Sequence, residues 1–129
     1  MFNIDLRSRA LKIKLVAFDI DGVMTDGSMI YDENGIQYKT FNAKDGQGVA
    51  MLVKMGIKTA IITAKESKAV QHRFEDLGMT KLYMGQKNKL EAVKELAKEY
   101  NLDYSEIAYM GDDLPDISVL REVGLACCP

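Results

Sequence analysis

The sequence predicts an α/β protein: a parallel sheet with helices on both faces and a β-hairpin inserted after the first strand. Three observations carry this. Short apolar runs recur along the chain without polar alternation, the pattern of strands buried on both faces. Segments with helical apolar spacing separate them, as in βαβ units. Between the first run and the first such segment, Asp32-Glu33-Asn34-Gly35 joins two short strand-like stretches. That is a hairpin signal, with Asn-Gly at the turn.

Taken in order, residues 13–19 predict the first buried strand, and residues 28–31 and 36–41 the hairpin arms. Residues 45–55 predict a helix, with Val49, Leu52, Val53 and Met55 apolar and Gly56 closing it. A second buried strand covers 57–63, an amphipathic helix closed by Gly78 covers 66–77, and a short third strand covers 81–84. Residues 87–100 are helical by the spacing of Leu90, Val93, Leu96 and Ala97. Residues 107–110 predict a fourth strand, 115–123 a helix with Pro115 in its first turn, and 124–128 a fifth strand. Open parallel sheets place their sites outside the carboxyl ends of their strands. Asp19, Thr63 and Asp112 each stand at the end of a different predicted strand.

The chain of 129 residues is expected to form one domain over 1–129. A domain of that size buries roughly two-thirds of its unfolded surface, so it needs no staples. A net charge of -2 without a long basic run argues against a general nucleic-acid or membrane binder. No apolar stretch approaches a membrane span. Asp5, Arg7 and Arg9 interrupt the first ten residues, where a secretory leader would be apolar, so a cytoplasmic setting is expected. Cys127 and Cys128 are adjacent and are expected as buried strand residues, not as a bridge or a zinc site. The eight methionines and Tyr83 are expected to fill the core. His72, the only histidine, is expected at the surface with no catalytic role.

The chemistry is concentrated in Asp19-Ile20-Asp21-Gly22-Val23-Met24-Thr25. If the strand stays extended to Asp21, its period of two puts both carboxylates on one side. A carboxylate such as Asp19 can attack phosphorus and form an aspartyl-phosphate. The second, Asp21, can protonate the leaving oxygen and then deprotonate a water. Thr63 offers a hydroxyl to a phosphate oxygen, or alternatively caps the helix that follows. Lys89, early in its helix, offers an ammonium to phosphate and carboxylates, with Lys87, Lys94 and Lys98 as competitors. Asp112 can complete an oxygen site with Asp19 of the kind magnesium prefers, while Asp113 and Asp116 favour a helix start electrostatically. Asn42, Lys44 and Asp45 lie between hairpin and helix, and Lys65 and Arg73 follow Thr63; any of them could hold an anionic sugar.

These four ordered motifs resemble the haloacid dehalogenase (HAD) superfamily of phosphotransferases. The matching residues are Asp19-x-Asp21-Gly22-Val23-x-Thr25, Thr63, Lys89, and Gly111-Asp112-Asp113-x-x-Asp116. Asp21-Gly22-Val23-Met24-Thr25-Asp26-Gly27, then a hairpin, then Lys39-x-Phe41-Asn42-x-x-Asp45-Gly46-x-Gly48, resembles the capless sugar-acid phosphatases, typified by 3-deoxy-D-manno-octulosonate 8-phosphate phosphatases. The resemblance implies a Rossmann-like fold without a cap domain and magnesium-dependent release of phosphate, as in lipopolysaccharide biosynthesis. It implies Asp19 as nucleophile and Asp21 as acid/base. Magnesium would lie on Asp19, Asp112 and the backbone carbonyl of Asp21, and the phosphoryl group on Thr63 and Lys89. Asn42, Asp45, Lys65 and Arg73 match substrate-contacting positions. The resemblance further implies a homotetramer assembled through the hairpins, and a further helix and tail after Pro129. Ala64-Lys65 replaces the usual Gly-Arg, and Ala50 a frequent basic residue.

A nonulosonate 9-phosphate phosphatase is the enzyme alternative, and a noncatalytic subunit with the same fold is another. A receiver-like signalling domain would also place acids, Thr and Lys on a five-stranded α/β fold. Against it, Asp21 would make an aspartyl-phosphate short-lived.

Overall fold

The structure, a computed structural model, describes residues 4–129. Residues 1–3, part of the stretch read against a secretory leader, lie outside the described residues. The described chain runs α1 (Ile4–Ala10), β1 (Leu15–Phe18), β2 (Ile30–Tyr31), β3 (Gln37–Tyr38), α2 (Ala43–Lys54), β4 (Lys58–Ile62), α3 (Lys68–Asp76), β5 (Lys81–Tyr83), α4 (Lys89–Tyr100), β6 (Ile107–Met110), α5 (Ile117–Leu120) and β7 (Leu125–Cys127). The main sheet has the order β5-β4-β1-β6-β7, and all of its pairings are parallel. β2 and β3 form a separate antiparallel hairpin.

Alternating side chains of the buried strands feed two cores, one on each face. Leu15, Ala17, Ala60, Ile62, Ile107 and Tyr109 pack with Ala92, Val93 and Leu96 of α4 and Val119 of α5. Ile61 points the other way, into a cluster with Ile20, Met24, Val49 of α2 and Val70 of α3. Each fully buried Leu or Ile contributes about 1.5–3 kcal/mol through removal from water. Because both faces are covered, β4 shows no polar alternation, and this is why its apolar run was legible as a central strand.

The helices begin where short polar side chains can accept their free N–H groups. Asn42 caps α2 by accepting from Lys44 N at 2.8 Å, and Asn88 caps α4 by accepting from Glu91 N. Ser67 caps α3, so the capping alternative for Thr63 is set aside. At the hairpin tip Asp32 Oδ1 accepts from Asn34 N and Ile36 N, and Gly35 takes a φ of 77°. The turn is the predicted one, although the paired arms are only two residues each.

Several expectations are corrected. β1 ends at Phe18 and the chain turns at once, so Asp21 does not continue an extended strand. The last predicted helix, 115–123, is a 3-10 turn, Leu114–Asp116, followed by the short α5. α1 was not expected: its residues 5–10 are all exposed, so no apolar stripe marks it. Cys127 is only half-buried and Cys128 is exposed beyond the strand. Met29, Met51 and Met55 are exposed rather than in the core, while Met24 and Met79 are buried as expected.

Candidate active site

Register brings the site together. Phe18 of β1 pairs with Ile61 of β4 on one side and with Met110 of β6 on the other. The residues just past these positions therefore emerge at one edge of the sheet: Asp19, Thr63 and Asp112. β1 lies between β4, the next main-sheet strand in sequence, and β6, which comes later. Strand order thus reverses between β1 and β6, the crevice where open α/β sheets bind ligands. Asp19, Asp21, Thr63, Lys65, Lys89, Asp112, Asp113 and Asp116 line a cleft of about 240 Å³ there.

Asp19 is nearly buried. Its Oδ1 accepts from Ile20 N at 2.7 Å and from the Lys89 ammonium at 3.0 Å, which leaves Oδ2 free of these partners. Burial pushes its carboxyl above the ordinary carboxylate range, against the opposing pull of Lys89 and the Ile20 N–H. Lys89, the first residue of α4, is 3% exposed, and its Nζ bridges Asp19 and Asp116, the latter at 2.8 Å. Thr63 is buried at the cleft wall, and its Oγ1 lies 3.5 Å from Lys65 N.

Asp116 is the anchor under this edge. Oδ1 accepts from Lys89 and from the Tyr109 hydroxyl at 2.6 Å, while Oδ2 accepts from Asp112 N at 3.0 Å and Asp113 N at 3.2 Å. Burial would raise its carboxyl, but Lys89, Tyr109 and the Asp113 N–H more than offset that and hold it below the ordinary range. Burial and Asp116 together push the Tyr109 phenol far up, so it stays a donor. Asp116 therefore does more than the helix-start electrostatics expected of it: it ties Lys89 to the loop that presents Asp112. Neither Asp116 nor Tyr109 was singled out for this from sequence. Only the inward face of β6 hints at Tyr109.

Oxygen atoms of Asp19, Asp112 and Asp116 all lie within 4.8 Å of one another. An all-carboxylate set suits a hard divalent cation. Both oxygens of Asp116 already accept hydrogen bonds, so Asp19 and Asp112 are the members left to face an ion. Asp112 reaches its place only because residue 22 is glycine. A Cβ there would stand 1.9 Å from Asp112 Oδ2, and Gly22 has a φ of +85°.

Asp21 lines the cleft, but its carboxylate is not part of the acidic trio. It pairs with Lys39 at 2.5 Å. Lys39 lies in the family-like run Lys39-x-Phe41-Asn42, and its contact with Asp21 has no sequence signal of its own. Of the expected sugar-binding residues, Lys65 lines the acidic cleft, with its Nζ 3.6 Å from Met29 Sδ of the hairpin region. Asn42 and Asp45 line another pocket, with Thr25, Asp26 and Thr40. Arg73 lines neither pocket. It donates to the Asn42 carbonyl at 3.0 Å and stacks over Phe41. His72 is exposed, as expected.

A family model for haloacid dehalogenase-like hydrolases matches residues 44–124. The chain belongs to this family. Within it, the chain is 40% identical over 122 residues to the 3-deoxy-D-manno-octulosonate 8-phosphate phosphatase KdsC of Escherichia coli, which covers 95% of this chain. The chain spans 65% of the length of that curated relative. It superimposes on the phosphatase of that name from Yersinia pestis with a TM-score of 0.94 at 40% identity, covering 97% of this chain and 68% of the other. A structure of the Moraxella catarrhalis phosphatase, in complex with magnesium, phosphate and KDO, matches with a TM-score of 0.90 at 41% identity, covering 93% and 69%. The HAD-like reading of the sheet, helices and hairpin agrees with these neighbours.

Proposed function

We propose that this chain is the single-domain catalytic core of a magnesium-dependent phosphomonoesterase. Its proposed reaction cleaves 3-deoxy-D-manno-octulosonate 8-phosphate to the free sugar acid and phosphate. The observation that carries the reading is the Asp19 carboxylate at the reversal of strand order, with one oxygen held by buried Lys89 and the other left open. The 40% identity to phosphatases of that substrate supports the sugar-acid class, and the Moraxella complex supports magnesium as the ion.

In this mechanism the Asp19 carboxylate attacks phosphorus, and the bond from phosphorus to the sugar oxygen breaks. The electron pair stays on the leaving oxygen, which takes a proton from Asp21. A water then attacks the aspartyl-phosphate and gives its proton to Asp21, and the pair of the breaking bond returns to Asp19. Lys89 and Thr63 hold the phosphoryl oxygens. Asp19, Asp112 and the Asp21 backbone carbonyl would hold magnesium, which when bound supplies positive charge against the crowded anions. Asp116 keeps Lys89 and the Asp112 loop in place. Asn42, Asp45, Lys65 and Arg73 are proposed for the sugar acid, Arg73 through its hold on Asn42.

The exposed hairpin is proposed to assemble the chain into a homotetramer. Among the described residues no helix is long and apolar enough to cross a membrane, and a cytoplasmic setting is part of the proposal.

A substrate panel tests the reading. With magnesium present, phosphate release from octulosonate 8-phosphate should exceed that from nonulosonate 9-phosphate and hexose phosphates by about tenfold or more in kcat/KM. Preference for the nonulosonate ester would replace the substrate, and silence on every ester would favour a noncatalytic subunit.

A further inference from the structure

Lys39 follows β3 at the stem of a hairpin whose large side chains face outward. Tyr38 is 53% exposed, whereas the Lys39 side chain is 3% exposed. Extended backbone alternates its side chains, so an outward Tyr38 turns Lys39 inward. An ammonium taken out of water is costly unless it is paired. Its partner here is Asp21, 18 positions away in sequence, through Nζ donating to Oδ1. Lys39 does not line the acidic cleft, whereas Asp21 does.

A carboxyl group has two oxygens, and holding one decides where the other can go. Rotating Asp21 away would break its contact with a buried cation, so the side chain has few alternatives. We infer that Lys39 is a positioning residue for Asp21: by anchoring Oδ1 it leaves Oδ2 to exchange the proton with the leaving oxygen and then with water. This rests on the phosphomonoesterase reading above. Lys39 touches neither phosphorus nor substrate and acts only through Asp21. It also makes the hairpin stem and the proton-transfer group one mechanical unit.

The test compares two esters in the same protein. Octulosonate 8-phosphate releases an alkoxide that needs a proton, whereas 4-nitrophenyl phosphate releases an anion that does not. Lys39→Met should lower kcat/KM by about 10²-fold on the first ester, the size of a general-acid contribution. On the second it should change kcat/KM by no more than about threefold, since that leaving group takes no proton. Lys39→Met added to Asp21→Asn should cost nothing further on either ester, and that pair of changes also leaves no orphaned charge to compromise folding. Equal losses on both esters, or losses that add in the double variant, would overturn the positioning role while wild-type activity preserves the phosphatase reading. A wild type inert on both esters would remove that reading and this inference together.

Discussion

Replacing Asp116 with asparagine exchanges one acceptor oxygen for a donor, and no orientation of the amide satisfies all four groups that now converge there. Either Lys89 and Tyr109, or the Asp112 and Asp113 N–H groups, lose their acceptor. Lys89 keeps Asp19, so the expected loss is about 3 kcal/mol, the low end for breaking a buried pair. The loss should depend on pH. A carboxyl held below its ordinary value contributes stability above about pH 4, and that contribution disappears as pH falls through the depressed value. Asp19, whose carboxyl is raised mainly by burial and least by the Asp116 charge, works in the opposite direction and largely cancels between the two proteins. Urea unfolding should therefore give a large gap between wild type and Asp116→Asn at pH 7 and a smaller gap at pH 3. A gap that does not narrow would mean that Asp116 is not ionised in the folded chain. At this scale the sequence exposed the residues that end strands, Asp19, Thr63 and Asp112, because strand ends follow from periodicity. It concealed Lys39, Tyr109 and Asp116, because their roles depend on which side chains meet across 7 to 27 positions.

Among the described elements, the hairpin and its flanks expose the most large apolar side chains. Met29, Ile30, Tyr31, Ile36 and Tyr38 are each at least 45% exposed. Adjacent exposed apolar groups of this kind mark an association surface more often than a solvated one. Sedimentation at micromolar concentration should show a tetramer for the wild type and smaller species for Ile30→Lys/Ile36→Lys. A monomeric wild type would contradict hairpin-driven assembly. The hairpin turn was readable because Asp32, Asn34 and Gly35 each have a local role in it. Its arms were over-extended because residues 28–29 and 39–41 have strand composition but no partner strand. α1 escaped because its visible stabilisation is polar, including an exposed Arg9–Asp5 pair at 3.1 Å, and carries no periodic apolar signal.

At the scale of the whole molecule, strand order separates readings that share the same residues. A receiver domain of the flavodoxin-like type orders its strands 2-1-3-4-5. Counting only main-sheet strands, this chain has 3-2-1-4-5, which sets the receiver alternative aside. The alternation of strands and helices was legible because both faces of the sheet are buried. The order was not, because it depends on how each crossover turns rather than on any local run of residues. Topology also explains how a small carboxylate site is built from distant segments: the central strand and its two neighbours deliver Asp19, Thr63 and Asp112 to one edge. The central claim is that Asp19 receives the phosphoryl group there. The most direct measurement is magnesium-dependent phosphate release from octulosonate 8-phosphate by the wild type and by Asp19→Asn, with circular dichroism confirming that both are folded. The account predicts release by the wild type and a loss of at least about 10³-fold in a folded Asp19→Asn protein. Turnover by Asp19→Asn near the wild-type rate would contradict it.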